Sequence, residues 1–231
     1  MKTEYIAMNG ISARLERIQK KVREDGIGSI AKIAAERVRD EVSLDETHVW
    51  YELRLDRDFP VREMPENTEL VRAAESQADL LSELDTVSPE TARERMRAGH
   101  DLWLSLLGGE LAFACWIFNG SAPVLAAPGG WMELPPEIVC LEDSIASTTV
   151  RGRGIGPATW SQIALQARES GIESIITKIR DFNVPPRKSV VKVGFEEIVT
   201  SRYRRKGLMR YASVKSGEGR AAEWITDQLM L

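Results

Sequence analysis

Two amphipathic stretches make up most of the first 45 residues. Their apolar side chains form two stripes at helical spacing, separated by Asp25-Gly26: Ile11, Leu15, Ile18 and Val22, then Ile30, Ile33, Ala34, Val38 and Val42. The opposite faces are charged but only weakly basic. We expect two helices that pack on the body of the protein or on another subunit, as in a homodimer. A DNA-binding helix-turn-helix and a membrane-surface helix are the alternatives, and both would need a more cationic face.

Three patterns predict how the next part of the chain begins. Residues 49–55 alternate between apolar and polar side chains, which predicts a strand, and residues 69–84 have helical spacing. Ser88 followed by Pro89 is typical of an N-cap and a first helical turn. We therefore expect a strand and then two helices, the second of which ends at Arg97.

Gly108-Gly109 is the strongest hairpin signal in the chain, because it separates two apolar runs, residues 101–107 and 110–118. Residues 120–136 are rich in Gly, Pro and Ala, so they are predicted to form a loop. The remaining elements are predicted as a strand at 137–145, a helix from Pro157 to about Ser170, a strand at 173–179, a short helix near 186–193, strands near 195–203 and 207–214, and a short helix within 221–231.

This order of elements predicts an α/β fold, in which helices lie on the faces of a mixed central sheet. We divide the chain into an amphipathic helical extension at 1–45, a sheet domain at 46–216 and a partly helical tail at 217–231.

The charge balance is mildly acidic, with 31 Lys and Arg against 35 Asp and Glu, and this makes nucleic acid an improbable partner. The two cysteines, Cys115 and Cys140, lie in apolar runs and indicate buried thiols in a reducing compartment. The two histidines are isolated, so no metal site is expected. The sequence has no apolar run long enough to span a membrane and no signal-peptide pattern at its start, so the expected location is the cytoplasm.

One segment carries a pattern suited to an anion, residues 150–157, which follow a predicted strand and open a predicted helix. Gly152, Gly154 and Gly156 allow a tight turn that presents backbone N–H groups at the helix N-terminus. Arg151 and Arg153 could add charge-assisted hydrogen bonds to phosphate oxygens. The alternative is a glycine-rich turn with two arginines that face solvent.

Two motifs in this part of the chain resemble the GNAT superfamily, the N-acetyltransferases related to the yeast general-control histone acetylase. Arg151-x-x-Gly154-x-Gly156 is similar to the family's pyrophosphate loop. Asn183, Lys192 and Gly194-Phe195 stand in the register of a second family signature. The predicted elements from Val49 to Val214 also follow the family's order: strand, two helices, three strands, helix, strand, helix and two strands.

The resemblance implies that acetyl-CoA or another acyl-CoA is the co-substrate. It implies that the pantetheine arm lies along Ser144, Ile145 and Ala146 and is reached by Asn183. The pyrophosphate would then be held by the backbone of the loop and by its arginines: Arg151, Gly152, Arg153, Gly154, Ile155 and Gly156. Gly194-Phe195 is expected to serve packing.

Glu142 is the candidate general base, because bases in the family often lie on this strand just before the pantetheine segment. Counting by twos along the strand places Glu142, Ser144 and Ala146 on one side and Asp143 on the other. The alternative is that Glu142 is a carboxylate paired with a neighbouring strand.

The sequence departs from the family pattern at Val190, where many members have a tyrosine that protonates the leaving thiolate. Tyr203, Tyr211, Ser189 or solvent could replace it. Pro157 and Pro185-Pro186 also remove backbone donors near the expected cofactor.

The expected function is N-acyl transfer from acyl-CoA to a small-molecule or peptide amine by direct attack, since neither cysteine has a histidine nearby to activate it. The acceptor would be bound by parts of residues 56–100, by the 119–136 loop and by the region near Tyr203. A non-catalytic acyl-CoA-binding or protein-interaction module that uses the N-terminal helices is the alternative. A weaker third hypothesis is a DNA-binding helical segment fused to a CoA-sensing domain.

Overall fold

The structure is a computed structural model that describes residues 43–207 and 209–230. Its strands are β1 (Ser43–Arg54), β2 (Thr68–Arg72), β3 (Asp101–Leu107), β4 (Glu110–Phe118), β5 (Ser121–Pro123), β6 (Trp131–Glu133), β7 (Ile138–Ala146), β8 (Ser174–Arg180), β9 (Glu196–Lys206) and β10 (Met209–Ser216). The α-helices of this part are α1 (Pro89–Arg97), α2 (Ile155–Glu169), α3 (Val184–Val191) and α4 (Arg220–Leu229), and short 3-10 segments lie at Glu75–Glu83, Pro128–Gly130 and Thr148–Val150. The predicted mixed α/β fold is confirmed.

The central sheet has the strand order β10-β9-β1-β8-β7-β4-β3-β2, and a separate two-stranded sheet pairs β5 with β6. Neighbouring strands of the central sheet are antiparallel except for β7 and β8, which are parallel. A parallel pair needs a crossover connection, and helix α2 supplies it between these two strands.

The parallel strands β7 and β8 separate before they end. Their paired residues run from Ile138–Ser174 to Cys140–Ile176 and stop there, although β7 continues to Ala146 and β8 to Arg180. The sheet therefore has a gap between its two halves, next to the loop that leads into α2.

Each face of the sheet has its own hydrophobic core. On one face, which we call the α1/α4 face, Trp50, Trp116 and Phe118 pack with side chains of α1, α4 and the 3-10 segment Glu75–Glu83. On the opposite face, the α2/α3 face, Tyr51 and Phe195 pack with side chains of α2 and α3. The sheet separates the two cores, and the gap between β7 and β8 is lined by residues from both faces.

Local signals in the sequence predicted several elements closely. Ser88 caps α1, since its hydroxyl accepts a hydrogen bond from the backbone N–H of Thr91 at 3.2 Å. Gly108 and Gly109 have φ angles of 61° and 88° and join β3 to β4, as the hairpin signal predicted.

Two local predictions were wrong. Residues 69–84 do not form one helix: residues up to Arg72 complete strand β2 at the sheet edge, and 3-10 turns follow from Glu75. Pairing with β3 outweighs the helical spacing of the side chains here, because it gives the backbone N–H and C=O groups at this sheet edge their hydrogen-bond partners. The predicted loop at 120–136 contains the short hairpin of β5 and β6.

The predicted C-terminal tail packs against the sheet. Helix α4 lies within the predicted tail and buries Ala221, Ala222, Ile225 and Leu229 in the core of the α1/α4 face. The two predicted N-terminal helices lie outside the described residues. None of the described helices is long and apolar enough to cross a membrane.

Candidate acyl-CoA site

Strand β7 contains a bulge that changes which face each side chain meets. Its pairing with β4 runs from Ala114–Ile145 to Trp116–Glu142, so β7 has an extra residue, and Asp143 adopts a φ angle of 49°. Glu142 therefore stays with Trp116 on the α1/α4 face. The prediction that Glu142, Ser144 and Ala146 share one side was wrong, because counting by twos fails across a bulge.

The side chains after the bulge divide between the two faces. Ser144 lies on the α2/α3 face, where its hydroxyl accepts a hydrogen bond from the indole of Trp160 at 3.3 Å, and Ala146 packs in the same core. Ile145 packs in the core of the α1/α4 face. Asp143 also turns to the α1/α4 face, not to the opposite one as predicted, since its carboxylate pairs with Arg95 of α1 at 2.7 Å.

Glu142 connects the two strands on opposite sides of the gap. Its Oε1 accepts the backbone N–H of Lys178 at 3.1 Å and the thiol of Cys140 at 3.8 Å, and its Oε2 lies 2.8 Å from Nζ of Lys178. Both charged side chains are only 12% exposed. Burial raises the pKa of Glu142, and Lys178 works against that shift. Burial alone would lower the pKa of Lys178, but the surrounding acidic groups, with the Glu142 carboxylate first among them, together raise it.

The loop between β7 and α2 presents backbone donors toward solvent. Gly152 and Gly154 have φ angles of +82° and +80°, which side-chain-bearing residues rarely adopt. Within the described part of the chain, the amides of Gly152, Gly154, Ile155 and Gly156 donate to no hydrogen-bond acceptor. A Cβ on Gly156 would lie 3.2 Å from the ring of Phe113, so this glycine lets α2 begin close to β4. Several N–H groups at one helix N-terminus make a binding surface for an anion.

Two arginines flank this loop without a partner among the described residues. Arg151 and Arg153 are exposed, and neither forms an ion pair with a residue that the structure describes. Two free guanidinium groups beside free amides suit a doubly charged ligand such as a pyrophosphate.

Two cavities lie on either side of the end of β7. A cleft of about 310 Å³ occupies the gap, and Glu142, Ser144 and Asn183 are among the residues that line it. A second cavity of about 480 Å³ lies between residues 81–89 and the segment from Ile145 to Thr148, with Arg151 at its edge. The structure thus brings the predicted site residues together around one strand end, with residues 81–89 of the predicted acceptor region beside them.

The comparisons with known proteins agree with this architecture. No protein-family model and no curated protein matches the sequence. Among solved structures, an acetyltransferase of the GNAT family from Colwellia psychrerythraea aligns over 72% of this chain with 14% identity and a TM-score of 0.51. A general-control-related N-acetyltransferase from Sphaerobacter thermophilus aligns over 82% with 12% identity and a TM-score of 0.50. The glucosamine N-acetyltransferase region of a fungal multi-domain β-N-acetylglucosaminidase aligns over 81% with 13% identity and a TM-score of 0.53.

The chain has the GNAT fold. It spans 59% of the length of each of the two bacterial proteins and 23% of the fungal protein, so the likeness concerns the fold and not the whole of those chains. The expected GNAT resemblance is confirmed at this level.

In this GNAT fold, the residue at the position of the family's tyrosine is buried and apolar. Val190 is 1% exposed and lines the cleft from α3. Tyr203, Tyr211 and Ser189, the predicted substitutes, do not line the cleft.

Burial raises the pKa of both cysteine thiols, Cys115 and Cys140, and for Cys140 the Glu142 carboxylate raises it further. Thiols held protonated are poor nucleophiles, which agrees with direct attack. Among the described residues, no three His, Cys, Asp or Glu side chains gather in a way that could hold a metal ion.

The Gly194-Phe195 signature serves packing. Phe195 is 2% exposed in the core of the α2/α3 face. Gly194 has a φ angle of +101°, and a Cβ there would lie 2.8 Å from Cδ of Pro60. Neither residue lines the cleft.

Sequence reasoning missed four polar residues of the cleft, His48 of β1 and Thr177, Lys178 and Arg180 of β8. The signal for Lys178 was a cation next to buried isoleucines in the strand Ser174–Arg180. His48 gave no comparable signal, since a single histidine in an alternating segment is usually a surface or packing residue.

Proposed function

We propose that this protein is an acyl-CoA-dependent N-acyltransferase that transfers an acyl group, in the simplest case acetyl, to an amine. The observation that carries the proposal is the position of the gap between β7 and β8, directly before the loop that leads into α2. Among the described residues, backbone N–H groups of this loop have no hydrogen-bond acceptor and its two arginines have no ion-pair partner. An extended strand edge followed by an anion-binding loop fits a ligand that is a linear arm ending in a pyrophosphate.

The predicted cofactor residues fit this ligand in two groups. Arg151, Arg153 and the amides from Gly152 to Gly156 would bind the pyrophosphate, with Pro157 giving no donor. Ser144, Ile145 and Ala146 would lie along the pantetheine arm, since β7 no longer pairs with β8 there and its backbone groups on that side need new partners. Asn183, which is exposed at the start of α3, would reach the same arm.

Glu142 is the proposed proton acceptor. A carboxylate has about four acceptor positions, and Lys178 and Cys140 use three of those on Glu142. One position therefore stays available to an N–H of the attacking amine. The amine nitrogen bonds to the thioester carbonyl carbon, the proton passes to Glu142, and the C–S bond breaks to release CoA as a thiolate. The ammonium of Lys178 lies close enough to this carboxylate to stabilise negative charge in the cleft.

Val190 favours one alternative, a module that binds acyl-CoA but does not catalyse acyl transfer. A buried valine cannot donate a proton to the departing thiolate. In that case the cofactor would bind, and the N-terminal region would act on a partner.

The test is release of CoA thiol from acetyl-CoA in the presence of a panel of primary amines. We expect amine-dependent release that falls at least a hundredfold in Glu142→Gln, with acyl-CoA affinity retained. Glu197→Gln, an exposed glutamate on β9, is the matched control and should keep full activity. Acyl-CoA binding without release for any amine would favour the non-catalytic module. We also propose a cytoplasmic location, which is supported by the two unlinked, buried cysteines.

A further inference from the structure

The residues that line the cleft come from both faces of the sheet. Trp160 of α2 and Val190 and Pro186 of α3 form the wall of the cleft on the α2/α3 face. Glu142 and Lys178 lie on the α1/α4 face, since they pair with Trp116 and Trp50, and His48 lies on the same face two residues before Trp50. The amine would therefore meet these three polar side chains from the α1/α4 face. What the amine meets there decides how it is bound and in which protonation state.

The carboxylates near this entrance already have cationic partners. Asp143 pairs with Arg95, Glu142 with Lys178, and Glu46 of β1 with Arg180. A protonated amine that sought one of these three carboxylates would have to displace its cation, and Asp181, another carboxylate near His48, does not line the cleft. This part of the cleft is therefore poorly suited to an ammonium ion.

His48 is differently placed. Its side chain is 20% exposed and lines the cleft, and its imidazole makes no hydrogen bond to a residue in the described ranges. The closest carboxylate oxygen, Oε2 of Glu46, is 4.0 Å from Nε2. A ring nitrogen with a lone pair is thus available to an incoming N–H group.

We propose that His48 binds the acceptor: its neutral imidazole accepts a hydrogen bond from one N–H of an uncharged primary amine. The second N–H of the amine faces Glu142, so that the nitrogen lone pair is left for the thioester carbonyl. This inference rests on the proposed function and names a residue and a substrate class that the fold does not imply: weakly basic primary amines.

The charges around His48 support this choice. The groups that face it are Glu46 from β1, Lys178 and Arg180 from β8, Asp181 beyond β8, and Glu142 from β7, while its partner on β9 is the uncharged Ser201. Burial, and then the positive charges of Lys178 and Arg180, lower the pKa of His48 to about 4, against the effect of Asp181. The imidazole is therefore neutral near pH 7. The same surroundings disfavour an ammonium ion and so favour the free amine, which is the nucleophilic form.

The decisive experiment uses the ring carbon Cε1 signals of the protein's two histidines, His48 and His100, observed by NMR at pH 7 with CoA present. Ethylamine and 2,2,2-trifluoroethylamine are the probes, because they are similar in size and the second is far less basic. We expect trifluoroethylamine to shift the His48 signal at a concentration at least tenfold lower than ethylamine does. The signal is assigned with His48→Gln. The internal control is His100, which is buried and accepts a hydrogen bond from the backbone N–H of Asn119.

Two results would overturn the inference: no selective shift of His48, or a stronger response to ethylamine. The NMR shifts do not require turnover, so this experiment is separate from the test of the proposed function, which depends on acyl-CoA binding and CoA release.

Kinetics of two variants separate binding of the amine from a structural role. His48→Phe keeps a planar ring without an acceptor, and His48→Gln keeps an acceptor oxygen near the position of Nε2. We expect His48→Phe to raise the KM for the amine roughly fivefold or more, with the KM for acyl-CoA unchanged, and His48→Gln to restore most of the loss. Equal kinetics in the two folded variants would contradict the proposal.

Discussion

Glu142 and Lys178 form a buried ion pair, 2.8 Å long, between two strands whose backbone pairing has already ended. The same carboxylate accepts the Lys178 backbone N–H, which has lost its place in a strand ladder. One side chain thus bridges the two separated strands on the α1/α4 face, and both residues of the pair line the cleft. This arrangement gives Glu142 a structural role in addition to the proposed catalytic one.

The ion pair should be costly to break from either side. Glu142→Gln leaves the Lys178 ammonium buried without its counter-charge, so we expect a loss of about 3 kcal/mol in the free energy of unfolding, measured in urea. Lys178→Met should cost a similar amount. The double variant should be much closer to wild type than the sum of the two losses, and simple additivity would show that the two groups do not interact.

Stability should also depend on His48 at mildly acid pH. The unfolded chain protonates this imidazole below about pH 6.5, whereas the folded pKa is about 4, so the unfolded state binds more protons between these values. Stability is therefore lost as the pH falls through this window, by about 2 kcal/mol between pH 7 and pH 5.

His48→Gln should remove this contribution, as measured by urea unfolding at the two pH values. A smaller loss should remain in the variant, because burial also lowers the pKa of His100. An identical pH dependence in wild type and variant would mean that His48 is not held neutral.

The hydrogen bond from Trp160 to Ser144 should stabilise the bulge of β7. Trp160→Phe keeps an aromatic ring against Phe113 but removes the indole donor. We expect it to cost about 1 kcal/mol of stability and to weaken acyl-CoA binding severalfold, and Ser144→Ala should do the same. Trp224→Phe on α4 is the matched control for the affinity. Equal affinities in Trp160→Phe and the control would show that the bulge does not depend on this bond.

Gly194 should matter for folding alone. Alanine there is strained at a φ angle of +101° and meets Pro60 at 2.8 Å, so we expect a loss of about 2 kcal/mol or more. Gly171→Ala has a similar φ angle of +84° and open space, and its loss should be nearer 1 kcal/mol. Both variants should keep wild-type acyl-CoA affinity when folded. A loss of acyl-CoA affinity in Gly194→Ala but not in Gly171→Ala would show that Gly194 contributes to the binding site.

Where local chemistry decides an element, the sequence was a good guide. The cap at Ser88, the Gly108-Gly109 turn and the strand–loop–helix around Gly154 each depend on a few adjacent residues, and each lies where it was predicted. Residues 69–84 were mispredicted because their conformation depends on β3, which is distant in the chain.

The site was harder to predict than the fold. The bulge at Asp143 inserts one residue into an alternating strand, and the sequence has no glycine or proline there to indicate it. His48 joins the cleft only because β1 lies beside β8 in the sheet, a pairing between segments more than a hundred residues apart in the chain. Pairings of this kind come from the whole fold and not from a local pattern.

The central claim is that the loop after β7 binds acyl-CoA, and calorimetric titration of the full chain with acetyl-CoA tests it most directly. We predict saturable binding to wild type and at least a tenfold loss of affinity in Arg151→Glu, where two units of charge change beside the phosphates. Arg210→Glu, the same change at an exposed residue on β10, should bind as wild type does. No binding of acetyl-CoA or longer acyl-CoAs to wild type, or equal loss in the two variants, would contradict the account.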